Sequence, residues 1–319
     1  MRTALSAILG LLAAPLAAGE LSLDLPIDCD LGKNCYVQQH VDLDPTAGAV
    51  DFQCGTLTYD GHKGTDFAIR TLTDMQRGVD VLAAADGTVA GLRDGVRDVA
   101  YSASNAADVD GRECGNGVVL RHHDGWETQY CHMKSGSVKV ETGDIVTRGT
   151  VLGQVGLSGK TQFPHVHLSV RRNGNVIDPY APNGQNCGDT TKGLWRSEIP
   201  YAPGGLIYSG FSNAIPTYEN VQNGTATQNA LQPDAKALVL FAYAYGGRKD
   251  DVISVQITGP SGPFLTQDIV LDKDQAQLFR AVGKRLTVAS WPAGDYVGTV
   301  RLMRGRDELG LQTVRMRID

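Results

Sequence analysis

Pro164-His165-Val166-His167-Leu168-Ser169-Val170 sets two histidines two residues apart in an alternating, β-branched run. In a strand, side chains i and i+2 leave the same face of the sheet, so both imidazoles project to one side. Runs of the same kind, separated by glycine, recur at residues 79–83, 87–92, 117–121, 127–132, 138–141 and 151–155. Strands of this length and spacing indicate antiparallel sheet, and no segment between residues 66 and 170 shows a sustained helical period. Only the polar, Ala/Asp/Ser/Asn-rich stretch 93–114 interrupts the pattern, which reads as a surface loop.

Strand-like runs return at 237–245, 252–258, 285–289, 296–304 and 311–317, after a Gly, Pro, Asn and Ser-rich linker at about 180–215. Trp291-Pro292-Ala293-Gly294-Asp295-Tyr296 looks like the turn into a late strand of an immunoglobulin-like sandwich. The expected class is therefore all-β. About 300 residues exceed what one core supports, so two domains are expected. Residues 20–60 form a disulfide-tied lead-in, 61–200 a first β domain and 215–319 a smaller β-sandwich. That second half holds no cysteine or histidine and reads as a binding or spacer module.

Residues 1–19 read as a secretory signal: Arg2 supplies the positive end, residues 4–18 carry no charge, and Ala17-Ala18-Gly19 is a small-residue cleavage site. The apolar run is shorter than the ~20 residues that a bilayer span needs, so no stable membrane insertion is expected. The destination is periplasmic or extracellular. Formal charge is −6, or −7 once Arg2 is removed, which lacks the basic footprint of a nucleic-acid binder. Six cysteines (29, 35, 54, 114, 131 and 187) in an exported chain suggest up to three disulfides, with 15 pairings open. Cys29 with Cys35 is the natural local pair. Cys114 with Cys131 would staple neighbouring strands and hold His132 in place, leaving Cys54 with Cys187.

Four of the seven histidines fall in three short clusters: Gly61-His62-Lys63-Gly64-Thr65-Asp66-Phe67, Tyr130-Cys131-His132-Met133, and His165-Val166-His167. Histidine is the commonest metal ligand. Two His with one carboxylate leave a zinc position open for water, which is the catalytic pattern. Gly64 lets the backbone bend so that His62 and Asp66 converge from a strand edge or loop. His132 ends a strand pattern and can reach the same pocket from a neighbouring strand. His122 and His123 read as ordinary strand-end residues, and nothing singles out His40.

Together these stretches resemble the lysostaphin/LytM-type zinc metallopeptidases, which cleave peptide bonds in bacterial peptidoglycan. The likeness runs from about residue 59 to residue 170. Tyr59 to Phe67 resembles the first ligand motif, Val81-Leu82-Ala83-Ala84-Ala85-Asp86-Gly87-Thr88-Val89 the next strand-turn-strand, and Asn116-Gly117-Val118-Val119-Leu120 the central strand. Thr128-Gln129-Tyr130-Cys131-His132-Met133 is similar to a Tyr-x-His-Leu motif. Three positions depart from the pattern: Phe163 precedes Pro164-His165 where glycine is usual, Ser169 replaces a frequent Glu, and Met133 replaces Leu.

The resemblance implies a sandwich of antiparallel sheets with an open groove, and one zinc per chain held by His62, Asp66 and His167. It places His132 and His165 as catalytic histidines and makes peptidoglycan peptides the substrate, with the C-terminal module free to bind wall or protein. Family members that lack ligands are catalytically silent regulators or wall-binding proteins; here all five positions are present.

Overall fold

The computed structural model describes residues 20–184, 186–189 and 192–319, and the expected signal segment lies outside the described residues. The first unit contains β1 (Cys35–Gln39), β2 (Thr65–Ile69), helix α1 (Leu72–Arg77), β3 (Asp80–Leu82), β4 (Gly87–Arg93), helix α2 (Ala106–Val109), β5 (Asn116–Arg121), β6 (Trp126–Met133), β7 (Ile145–Val146), β8 (Val151–Gln154), β9 (His165–Arg172) and β10 (Asn175–Ile177). Its main sheet runs β1-β2-β9-β6-β5-β4-β7, with β10 returning on β9, and every pair is antiparallel. β3 and β8 form a second small sheet. The core between them collects Phe67, Val81, Leu120, Tyr130, Leu152, Val166 and Leu168, all fully buried.

The lead-in is more than a tether. Its β1 forms the sheet edge beside β2, while Leu21, Leu23 and Ile27 enter the core and Leu23 bridges to Trp195. Disulfides join Cys29 to Cys35, Cys54 to Cys187 and Cys114 to Cys131. These are the pairs that proximity and elimination favoured.

The second unit contains β11 (Gly205–Ser212), helix α3 (Tyr218–Asn223), β12 (Ala230–Leu231), β13 (Ala237–Gly247), β14 (Val252–Gly259), β15 (Gly262–Val270), β16 (Gln275–Arg285), β17 (Gly294–Arg304) and β18 (Asp307–Ile318). One sheet is β11-β13-β16 and the other β12-β18-β17-β14-β15, with a parallel pairing only between β12 and β18. Leu238, Leu240, Ala242 and Ala244 on β13 face Ile253, Val255, Ile257, Val300 and Leu302 across the gap. At the expected turn, the Tyr296 hydroxyl donates back to the Pro292 carbonyl at 3.0 Å.

Three expectations need correction. β11 begins at Gly205, inside the supposed linker, so the second unit starts about ten residues before 215. Residues 138–141 form no strand, and the backbone bond from Lys139 to the Leu152 carbonyl is not extended into a ladder. Residues 285–289 lie at and beyond the end of β16, where Leu286 turns to donate to Lys236.

The two units pack together. β13 is buried along both faces: its even positions line the sandwich core, while Phe241, Tyr243 and Tyr245 join Tyr36, Leu57 and Ala68 of the first unit. Tyr36 and Tyr245 rings lie 4.5 Å apart. Gln277 Nε2 donates to Tyr36 Oη at 3.1 Å and to Gln38 Oε1 at 3.0 Å, while Tyr243 donates to Gln277 Oε1.

Candidate metal centre and catalytic histidines

β2, β9 and β6 are adjacent in the sheet, and register aligns Asp66 with His167 and His167 with Cys131. The carboxylate and the second imidazole of the His-x-His pair therefore meet across one row. His62 arrives from the loop before β2. Gly64 allows this approach, because a Cβ there would lie 2.6 Å from His167 Nε2 and 2.6 Å from the Leu168 carbonyl.

His167 Nδ1 lies 2.8 Å from Asp66 Oδ1, His62 Nε2 lies 3.2 Å from the same oxygen, and the two nitrogens are 3.1 Å apart. The far side of each ring is committed. His62 Nδ1 donates to the His40 carbonyl at 2.6 Å. His167 Nε2 donates to Ser169 Oγ at 3.0 Å, since that hydroxyl spends its own proton on the Lys63 carbonyl. With those tautomers two imidazole lone pairs and a carboxylate oxygen converge on one point, an arrangement that a shared cation, a metal ion or a proton, relieves. A tetrahedral zinc separates its donors by roughly 3.3 Å, so the donor set and its spacing fit that ion.

The electrostatics carry the same demand. Burial pushes His62 down, but Asp66 by charge and hydrogen bond, the His40 carbonyl and Asp42 outweigh it and raise its pKa. Burial pushes Asp66 up, yet His62 and His165 by charge, with hydrogen bonds from His165 and His167, hold it well below the usual carboxylate range. His167 is lowered by burial against the pull of Asp66.

His165 and His132 stand beside this triangle. His165 Nδ1 donates to the Phe163 carbonyl at 3.0 Å, so Nε2 faces Asp66 Oδ1 at 3.4 Å. His132 Nδ1 donates to the Ser158 carbonyl at 2.8 Å, and its ring centroid is 4.7 Å from that of His165. Burial, then His165 and His167, drive the His132 pKa well down, so it is a neutral base.

His132 reaches this face by a backbone irregularity. Cys131 pairs with His167, so regular alternation would turn His132 to the opposite face. Instead Val118 pairs with Tyr130 and Asn116 with Met133, leaving Gly117 opposite both Cys131 and His132. This bulge carries a left-handed φ of 62° at His132 and swings the ring back towards its partners. The His132 amide donates to Cys114, whose disulfide to Cys131 locks the bulge.

All five expected residues thus come together. Among the described residues, the groups able to hold a metal are His62-Asp66-His167 and His132-His165-His167. His122 is structural, bonded to Asp86 and Thr128. The sequence reading missed His40, which serves the site through its carbonyl, a group every residue type carries.

Residues 60–179 match Peptidase family M23. The chain is 33% identical over 118 residues to an uncharacterized metalloprotease of Haemophilus influenzae, a match covering 37% of this chain and 20% of that protein. It is 30% identical over 118 residues to peptidoglycan DD-endopeptidase ShyC of Vibrio cholerae, covering 37% and 22%. The catalytic domain of the prophage-encoded M23 protein EnpA from Enterococcus faecalis aligns at 23% identity and TM-score 0.32, covering 49% of this chain and 96% of that one. The chain spans about a fifth of the length of the curated relatives it matches.

Proposed function

We propose that this chain, whose residues 60–179 form a domain of Peptidase family M23, is an exported zinc metalloendopeptidase that hydrolyses peptide bonds in bacterial peptidoglycan. The observation that carries the reading is the convergence of His62 Nε2, Asp66 Oδ1 and His167 Nδ1, with every outward nitrogen pinned and two further imidazoles alongside. Those three residues would hold the ion. Zinc there supplies Lewis-acid polarisation of a scissile carbonyl and a lowered water pKa.

The chain's own groups supply the rest. Neutral His132 presents Nε2 as a proton acceptor, because Ser158 holds its Nδ1 proton. His165, pinned by Phe163, presents Nε2 on the same side, where its protonated form stabilises a developing oxyanion or gives a proton to the leaving amine. pH–rate profiles of His132→Ala and His165→Ala assign the two roles. Three disulfides suit an oxidising compartment, and among the described residues no helix is long and apolar enough to cross a membrane. The relative named as a peptidoglycan DD-endopeptidase supports the substrate class.

The test is zinc stoichiometry with release of soluble peptides from purified peptidoglycan. One zinc per chain and release that stops on chelation and returns with zinc are expected. Bound zinc without release, from walls of varied cross-link chemistry, would replace the enzyme reading with that of a silent regulator or wall-binding protein.

A further inference from the structure

The face that carries the histidines continues past His165. Asp66 lies opposite His167 and Ala68 opposite His165, and the Ile69 amide donates to the Pro164 carbonyl, extending the ladder a step. Alternation then brings Arg70 and Phe163 onto the same face. The Phe163 ring indeed lies on His165, with centroids 4.4 Å apart and planes inclined by 23°. At roughly 3.3 Å per residue, the Arg70–Phe163 row sits about 13 Å along the strand from Asp66 and His167, the span of about four extended residues.

A cleft of about 230 Å³ opens there between the two units. Arg70, Phe163 and Pro164 line it from the first unit; Tyr243 of β13 with Gln222 and Asn223 of α3 line it from the second. The site is incomplete without the second unit, and the Gln277 clamp and Tyr36–Tyr245 contact hold that wall in place.

Its lining mixes aromatic and aliphatic groups with side-chain amides. The Arg70 guanidinium is compensated by Asp74 at 3.3 Å, and Glu219 adds a carboxylate to the lining, so no excess positive charge awaits an anion. Among the described residues the Gln222 and Asn223 amide groups make no hydrogen bond and are half-buried. Free amides beside aromatic rings, in a space for one ring-sized residue, suit a sugar bearing hydroxyl and acetamido groups.

We propose that this inter-unit cleft binds one N-acetylhexosamine residue of the glycan to which the peptide under attack is attached. The second unit thereby sets a preference for glycan-bearing substrate. The inference rests on the endopeptidase reading above.

Two measurements on the full chain test it: binding of an N-acetylglucosamine tetramer by calorimetry, and KM for cross-linked muropeptides against the same cross-linked peptides freed of sugar. The wild type should bind the tetramer, and the tetramer should compete only with glycan-bearing substrate. Losing two amide hydrogen bonds in Gln222→Ala/Asn223→Ala should raise KM for glycan-bearing substrate about tenfold. Its kcat, zinc content and KM for sugar-free peptide should stay unchanged. Hydrolysis with equal KM for both substrates and no tetramer binding would overturn the subsite while leaving the enzyme reading intact. Tetramer binding by a chain that cuts no peptide would keep the subsite and remove the enzyme reading.

Discussion

Asp66 Oδ1 has imidazole nitrogens of His62, His165 and His167 within 3.4 Å, so comparing substitutions here distinguishes metal-holding from catalytic roles. His167→Ala removes a donor and is expected to abolish zinc binding and hydrolysis together. His165→Ala is expected to keep zinc, measured by metal analysis, while activity falls by roughly 10²–10⁴-fold; equal zinc loss in both would sink this division of roles. Gly64→Ala has no room beside His167 and the Leu168 carbonyl, so it should lose zinc although position 64 donates no ligand atom. His40 gives a pH test. Its ring is buried with Nδ1 unpartnered, and burial lowers its pKa from 6.5 to about 4. The unfolded chain therefore takes up a proton first, and stability falls by about 3 kcal/mol as pH drops from about 6.5 to 4. His62 is raised and acts oppositely, its contribution present on the acid side and lost as pH rises past its folded value. His40→Phe should flatten the acid-side loss in urea melts of metal-free protein, yet keep zinc affinity because the carbonyl that holds His62 remains. The proposed ligand residues were legible as side chains in short motifs. The His40 carbonyl was not, since backbone groups leave no mark in a sequence.

Among the elements, the bulge at His132 matters most to the site. Removing the disulfide with Cys114→Ala/Cys131→Ala frees the bulge and should relax the left-handed His132 towards ordinary strand geometry. Activity is then expected to fall through kcat while zinc content holds; an unchanged kcat would show that the bulge stands without the bridge. The alternating runs at 117–121, 127–132 and 165–170 were read as strands and are strands, because one face of each packs into the core. β15 and β16 escaped notice since their half-exposed, polar-rich sequences carry little alternation, and pairing partners supply what propensity lacks. Helices α1, α2 and α3 escaped because six residues or fewer give no full period; α1 depends on its Thr71 cap, whose hydroxyl accepts from the Asp74 amide.

At the scale of the whole molecule, the second unit is fixed to the first through the Phe241, Tyr243 and Tyr245 face of β13. A chain ending at residue 204 would leave Tyr36, Leu57 and Ala68 without Phe241, Tyr243 and Tyr245. It should therefore melt at lower temperature and expose apolar surface to a reporter dye, whereas an independent spacer would leave the melting temperature unmoved. The all-β class, the local Cys29–Cys35 pair and the identity of the histidine cluster could be reached from the sequence, because strand alternation, cysteine proximity and histidine-bearing motifs are local or nearly local signals, whereas Cys54–Cys187, 133 residues apart, followed only by elimination. The start of the second unit at Gly205, the bulge that re-aims His132, the carbonyl partners of the imidazoles and the wall beside Phe163 belong to the tertiary structure alone. Each depends on contacts between residues far apart in the chain, whose geometry exists only once the sheets have paired.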